Sequence, residues 1–289
     1  MALRMTYVDG EFRETDLATV SVEDRAFQFG DGVYEVVRIC RGRLFAWQRH
    51  LERLRRSSRK ILLDLAAVEQ EMTQVVRQLI DKSGVESGQV YIQISRGQSW
   101  RNHAFPRPGV KPTLIVTVSE LPMRTWEDFE KAESAVIATD DRWLHCDIKS
   151  TSLLPNVLAR EKAVSEGAQE AIFARDDRIV TEGSASNVFM VSRGVIYTHP
   201  DGPLILPGIT KELTKMLIRR LGIPFEESPF TVAELRDADE VFITGTGHDV
   251  CPILEVDHQS IGDGKPGDVT RMLNQEFRKL YEHENFEII

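Results

Sequence analysis

The sequence predicts a mixed α/β protein of two domains, and three observations carry that expectation. At 289 residues the chain is too long for one ordinary core and comfortable for two. Its apolar spacing switches repeatedly between the alternation of a strand and the three-and-four spacing of a helix. The stretch Glu120-Leu-Pro-Met-Arg-Thr125 breaks both patterns and marks a boundary. The expected division is a smaller N-terminal α/β domain over 1–120, a linker over 121–125 and a larger α/β domain over 126–289. A cleft between two such domains is a common place for a ligand.

The elements follow in order. Asp9-Gly10 is a favoured tight-turn dipeptide and predicts a hairpin. Phe29-Gly-Asp-Gly32 leads into Val33–Ile39, whose β-branched residues predict a strand. Trp47, Leu51, Leu54, Ser58 and Ile61 then draw one helical stripe, and Val68, Met72, Val75, Val76, Leu79 and Ile80 a second that Ser83-Gly84 ends. Val90, Ile92 and Ile94 alternate with polar residues, and Thr113–Val118 is a further strand. In the second half, strands are expected at Ser134–Ala138, Glu170–Ala174, Val188–Val191 and Val241–Thr244. Helices are expected at Asn156–Gly167 and Thr210–Gly222.

Composition excludes several function classes. A 42% hydrophobic and 28% charged chain is an ordinary globular protein, with enough apolar residues to build cores. Its net charge of −9 opposes non-specific nucleic-acid binding, which needs clustered cations; an anionic substrate must be captured by local ones. Cys40, Cys146 and Cys251 are odd in number and far apart, which argues for a reducing compartment and against a metal centre or a disulfide framework. The N-terminal stretch turns polar at Asp9-Gly10 and shows no secretory core, and no apolar run is long enough to span a bilayer. A cytoplasmic protein is expected.

Several residues could carry chemistry. A lone lysine is ordinarily solvated, but Lys149 is flanked by Ile148 and Leu153-Leu154, and a desolvated amine can serve as a nucleophile or Schiff-base former. Thr181–Phe189 is small and polar; it reads either as a strand-entry turn or as the mount of a fixed carboxylate, Glu182. Leu206-Pro-Gly-Ile-Thr210 opens a helix, whose N-terminus suits an anion, and Thr244-Gly-Thr-Gly247 is a second possible phosphate cradle. Among Arg49, Arg53, Arg55, Arg56 and Arg59, most form a solvated face while one can turn inward. The irregular run Arg96–Pro106, with two Arg, a Trp and a His, holds too much functional chemistry to be a spacer.

In this order, Phe27–Glu35, His50-Leu-Glu-Arg-Leu54, Asp147-Ile-Lys149, Thr181-Glu-Gly183 with Asn187, Pro207-Gly-Ile-Thr210 and Thr244-Gly-Thr246 resemble the fold-type IV pyridoxal-phosphate transaminases. The likeness covers roughly residues 5 to 270. Within that family it leans to the D-amino-acid aminotransferases, which carry an Arg-x-His pair where this chain has Arg101-Asn-His103. The resemblance implies a two-domain enzyme with pyridoxal 5′-phosphate in the cleft between domains. It implies that Lys149 holds the cofactor as a Schiff base and then shuttles a proton, and that Glu182 pairs with the ring nitrogen. Arg53, Ile209, Thr210 and Thr246 would hold the phosphate. Tyr34, Arg101 and His103 would trap the substrate carboxylate, the last two reaching in from a partner, so a homodimer follows.

The implied reaction is ping-pong transamination between a D-amino acid such as D-alanine and a 2-oxo acid, 2-oxoglutarate or pyruvate. The rival readings are a branched-chain L-amino-acid aminotransferase, an aminodeoxychorismate lyase, and a cofactor carrier without turnover. The chain departs from the family in three places. Ala185 interrupts a run of serines, and Gly245 and His248 stand where small hydroxyl residues are expected near the phosphate.

Overall fold

A computed structural model describes residues 5–176 and 178–282. They fall into two compact units. One comprises the described residues up to Met123 together with Ile148–Ser152; the other comprises Arg124–Asp147 and the described residues from Leu153 onward.

The first unit begins with strands β1 (Met5–Val8) and β2 (Glu11–Glu14). The turn between them, Asp9-Gly10, has φ of 40° and 108°, and the positive values are why this dipeptide suits it. There follow helix α1 (Arg25–Phe29), strands β3 (Gly32–Cys40) and β4 (Arg43–Leu44), helices α2 (Trp47–Lys60) and α3 (Glu69–Ser83), and strands β5 (Ser87–Ser95) and β6 (Thr113–Glu120). The strands form a six-stranded sheet in the order β2-β1-β6-β5-β3-β4. The two predicted helical stripes are what bury it. Leu51 and Leu54 of α2 and Met72, Val75, Val76 and Leu79 of α3 share one core with Val90, Ile92, Ile94 and Val116 of the sheet. Each such side chain contributes about 1.5–3 kcal/mol by leaving water.

The second unit contains helix α4 (Trp126–Lys131), strand β7 (Glu133–Thr139), helix α5 (Leu154–Ser165), strands β8 (Glu170–Arg175), β9 (Ile179–Gly183), β10 (Asn187–Ser192) and β11 (Val195–Thr198), helix α6 (Ile209–Leu221), strand β12 (Phe225–Glu227), helix α7 (Val232–Arg236), strands β13 (Glu240–Gly245), β14 (Asp249–Val256) and β15 (Gln259–Ser260), and helix α8 (Asp268–Leu280). Its nine-stranded sheet runs β12-β11-β10-β13-β14-β7-β8-β9, with β15 on β14. Thr125 caps α4 in a reciprocal box with Asp128, so the break in pattern near residue 120 ends in a helix start signal. Small residues let α5 lie close to its strands: Ala159 and Ala163 pack on Ala138, Ala171 and Phe173.

One segment departs from the sequence expectation. The run holding Lys149 is expected within the 126–289 domain, yet Ile148–Ser152 groups with the first unit. The cause is backbone pairing that no local pattern encodes. The Tyr34 N–H donates to the Lys149 carbonyl at 2.9 Å, the Thr151 N–H donates to the Gly32 carbonyl at 3.0 Å, and Val33 bridges Ser150. Among the described residues, no helix is long and apolar enough to cross a membrane.

Candidate active site

In the first unit, strand alternation divides β3 into two chemistries. Glu35 points toward α2, and Tyr34 points the other way. Glu35 is buried and receives Nε and Nη2 of Arg53, each at 2.8 Å, as well as His50 Nδ1 at 2.8 Å. Burial by itself would raise the Glu35 carboxyl; Arg53, helped by His50, outweighs it and holds the group far below the usual carboxylate range. Burial pushes His50 below its ordinary value, against the pull of Glu35 and with the aid of Arg53 and Lys149. A neutral His50 beside an ionised carboxylate must carry its proton on Nδ1 to make that hydrogen bond. Arg53 is thus the inward-facing arginine of the helix, while Glu52, Arg56 and Arg59 are exposed.

Lys149 lies beside the same helix and strand. Its N–H donates to Ser57 Oγ at 3.1 Å, and its Nζ stands 4.3 Å from the centre of the Tyr34 ring. The residue is half-buried. Ile148 supplies the expected apolar flank within the core, but Leu154, on the other side, is 68% exposed.

Arg101 and His103 are exposed, and both face one ring. The Arg101 guanidinium sits 4.5 Å from the centre of Phe29, and His103 tilts against it at 5.4 Å. Two buried arginines fix this loop's course. Arg25 donates to the Asn102 carbonyl at 2.6 Å and to Asp31 at 2.8 Å. Arg96 spans Asp31 and the carbonyls of Ile61 and Leu62.

In the second unit, Glu182 sits in β9 and is buried. Its Oε1 receives Arg142 at 2.7 Å; its Oε2 receives the Leu206 N–H at 2.9 Å and Asn187 Nδ2 at 3.2 Å. Arg142 is itself held by both oxygens of Asp140, at 2.9 and 3.0 Å, and lies over the Phe173 ring. Burial pushes the Glu182 carboxyl up to about 7, against the lowering pull of Arg142 and the Leu206 N–H. Glu182 is therefore a carboxyl of fixed orientation whose proton affinity reaches the neutral range.

The same web reaches the helix start. Asn187 Nδ2 also donates to the Leu206 carbonyl at 2.9 Å, and a Cβ on Gly208 would fall 2.0 Å from Asn187 Oδ1. Gly208 is the N-cap of α6 and offers no side-chain cap, so the first-turn N–H groups around Ile209 and Thr210 are left for another acceptor. Across the sheet Asn187 pairs in register with Thr244. Thr244 Oγ1 is buried and has no hydrogen-bond partner among the described residues. Thr246 is in the turn that follows. Asn187 thus ties Glu182 to the segment that precedes Ile209 and Thr210, and its strand partner Thr244 precedes the turn that holds Thr246.

These features fit pyridoxal phosphate in its chemistry. In the second unit an uncapped helix N-terminus and an orphaned hydroxyl suit a phosphate, and the buried Glu182 carboxyl suits a pyridine nitrogen; in the first unit, taken by itself, Lys149 carries an amine. Sequence reasoning missed the supporting residues Glu35, His50, Asp140, Arg142 and Glu170. Glu170 is fully buried and accepts Ser184 N–H at 3.1 Å, Ser184 Oγ, and Ser186 Oγ at 2.7 Å. The flanking serines are thus committed to a structural carboxylate on either side of Ala185. Arg142 had a visible signal, since it opens the extended run that ends at Lys149. Glu35 and Glu170 had none, because their partners lie far off in sequence.

Comparison with known proteins identifies the family. The sequence profile of the family described as Amino-transferase class IV matches residues 32–256. The D-alanine aminotransferase of Staphylococcus haemolyticus is 44% identical over 276 residues, 96% of this chain and 97% of that protein. That of Listeria monocytogenes is 42% identical, covering 93% of each. Among solved structures, the branched-chain aminotransferase of the thermophilic archaeon Thermoproteus uzoniensis, solved with norvaline, superposes with a TM-score of 0.84 at 27% identity, covering 98% of this chain and 96% of that one. The Escherichia coli branched-chain enzyme gives 0.87 at 26% identity, covering 96% and 94%. The fold is the two-domain, fold-type IV arrangement expected from the sequence, and the chain belongs to the class IV aminotransferase family.

Proposed function

We propose that this enzyme is a D-amino-acid transaminase that uses pyridoxal 5′-phosphate to move an amino group between a D-amino acid such as D-alanine and a 2-oxo acid, 2-oxoglutarate or pyruvate. The observation that carries this reading is the 44% identity to a D-alanine aminotransferase over nearly the full length of both chains. When bound, the cofactor supplies an electron sink that acidifies the α-C–H of an attached amino acid.

The chain's own residues do the rest. Lys149 would hold the cofactor covalently through Nζ and, once displaced from it by the substrate's amine, would use that freed atom to move the proton taken from the substrate's Cα. Glu182, oriented by Arg142, Asn187 and the Leu206 N–H, would keep a proton on the cofactor's ring nitrogen. Ile209 and Thr210 at the start of α6, with Thr246 and Arg53, bind the phosphate. Tyr34, Arg101 and His103 bind the substrate carboxylate, and a planar guanidinium fixes its orientation as well as its charge. Arg101 supplies the local cation that a chain of net charge −9 needs to hold an anion.

The working form is a homodimer in the cytoplasm. Two surfaces support association: α5 exposes Leu154, Val157, Leu158 and Val164 at 57–68%, and the first unit exposes Val22, Phe27 and Trp100 at 74–82%. Apolar exposure of this kind marks interaction sites. The cytoplasmic setting is supported by three buried cysteines that form no disulfide.

The test is a parallel assay of D-alanine and L-leucine with 2-oxoglutarate. Turnover of D-alanine with pyruvate as product is expected, and Lys149→Ala should abolish it along with the borohydride-stable attachment of cofactor. Turnover of L-leucine without D-alanine would defeat this reading.

A further inference from the structure

Gly245 and His248 are both departures from the family pattern, and the structure makes them one feature. They bracket the turn between β13 and β14 that carries Thr246. A Cβ on Gly245 would fall 3.3 Å from His248 Cδ2 and 3.3 Å from the Ala185 carbonyl oxygen. Gly245 is not in the left-handed region, so space, and not backbone conformation, is what asks for glycine. The histidine ring is folded back over it.

Glu133 lies against the ring. This residue opens β7, and its Oε1 lies 3.4 Å from His248 Nδ1 and 2.7 Å from Arg124 Nη1. Both side chains are largely buried, and Glu133 Oε2 and His248 Nδ1 have no full hydrogen bond among the described residues. The turn therefore meets, through this contact, a strand that enters the sheet beside β14.

We propose that Glu133 and His248 form a positioning pair that fixes the Thr246 turn for a phosphate group, and that Gly245 is the space this pair requires. The inference rests on the reading of Thr246 as a phosphate ligand. Glu133 and His248 act through the turn and not on the substrate.

The test measures equilibrium affinity of the apoenzyme for pyridoxal 5′-phosphate and, separately, for pyridoxal, which lacks the phosphate. His248→Ala and Glu133→Gln are each expected to weaken pyridoxal 5′-phosphate by about 1.5- to 5-fold, the range of a modest charged contact. Affinity for pyridoxal should not change. The double variant should be no weaker than Glu133→Gln alone, since that change already removes the His248 contact along with the Arg124 one. Gly245→Ser should weaken the phosphorylated ligand, and adding His248→Ser should restore it. Equal losses for both ligands, additive losses in the double variant, or no loss at all would overturn the proposal. Thr246→Val separates the two levels: if it leaves pyridoxal 5′-phosphate affinity intact, the phosphate reading itself fails, whereas a loss there with silent His248 and Glu133 variants rejects only the positioning pair.

Discussion

Glu35 and Glu182 are both buried carboxyls with an arginine partner, and they are shifted in opposite directions. For Glu35, Arg53 and His50 together overcome burial and keep the charge; for Glu182, burial wins and the carboxyl rises to about 7. The consequences for stability have opposite signs. A lowered folded-state value means that Glu35 contributes stability fully above the ordinary carboxylate value of 4.5, and that this is lost as pH falls below it. A raised value means that the contribution of Glu182 is largest below 4.5 and declines as pH rises toward 7. Glu35→Gln should therefore lower the melting temperature at pH 7, by an amount equivalent to about 3–5 kcal/mol for a broken buried pair. The gap between variant and parent should narrow from about pH 5 to pH 3 in a series of thermal melts. A gap that stays constant with pH would show that Glu35 does not carry this charge. None of this was legible from the sequence, where Glu35 is one acidic residue in an apolar strand. Its partners lie 15 and 18 residues away, across a strand-to-helix turn.

At the level of elements, legibility followed periodicity. Helices α2 and α3 show clean apolar stripes, and the sheet of the first unit alternates, so both are readable to within a few residues of their ends. Strand β14 was missed because Pro252 sits inside it, and proline ordinarily argues against an interior strand. In the structure Pro252 pairs in register with Phe242 of β13. Helix α8 was missed because its buried face mixes Leu273 and Phe277 with Thr270 and Asn274, which blurs the stripe. Helix α6 is readable from Gly222 and its leucines, but what makes its start useful is Gly208, packed on Asn187. Gly208→Ala places a Cβ where Asn187 Oδ1 now lies. It should break the Asn187 bonds to Glu182 and the Leu206 carbonyl. The expected outcome is a loss of about 1–3 kcal/mol in denaturant unfolding, as for other overpacked sites, together with weaker cofactor retention in dialysis. Unchanged unfolding would mean that Asn187 has room to move without cost.

For the molecule as a whole, the question left by the sequence is how one chain supplies every group. Lys149 and Tyr34 stand together, whereas Arg101 and His103 are exposed on Phe29. If the carboxylate trap of each site comes from a second copy, two inactive variants should repair one another. Lys149→Ala keeps Arg101 intact, and Arg101→Leu keeps Lys149 intact. A dimer of one of each then holds one complete site and one site lacking both. Mixed in equal amounts, unfolded and refolded together, half of the dimers are hybrids by random association of a two-fold pair, and about a quarter of the parent activity should return. Sedimentation should show twice the 32.8 kDa chain mass for parent and variants alike. Replacing Leu154 and Leu158 on the exposed face of α5 with aspartate should shift the parent toward the single-chain mass if that face is part of the contact. Activity that never rises above the sum of the separate variants, with the dimer intact, would place Arg101 and Lys149 of the same chain at one site and reject the exchange.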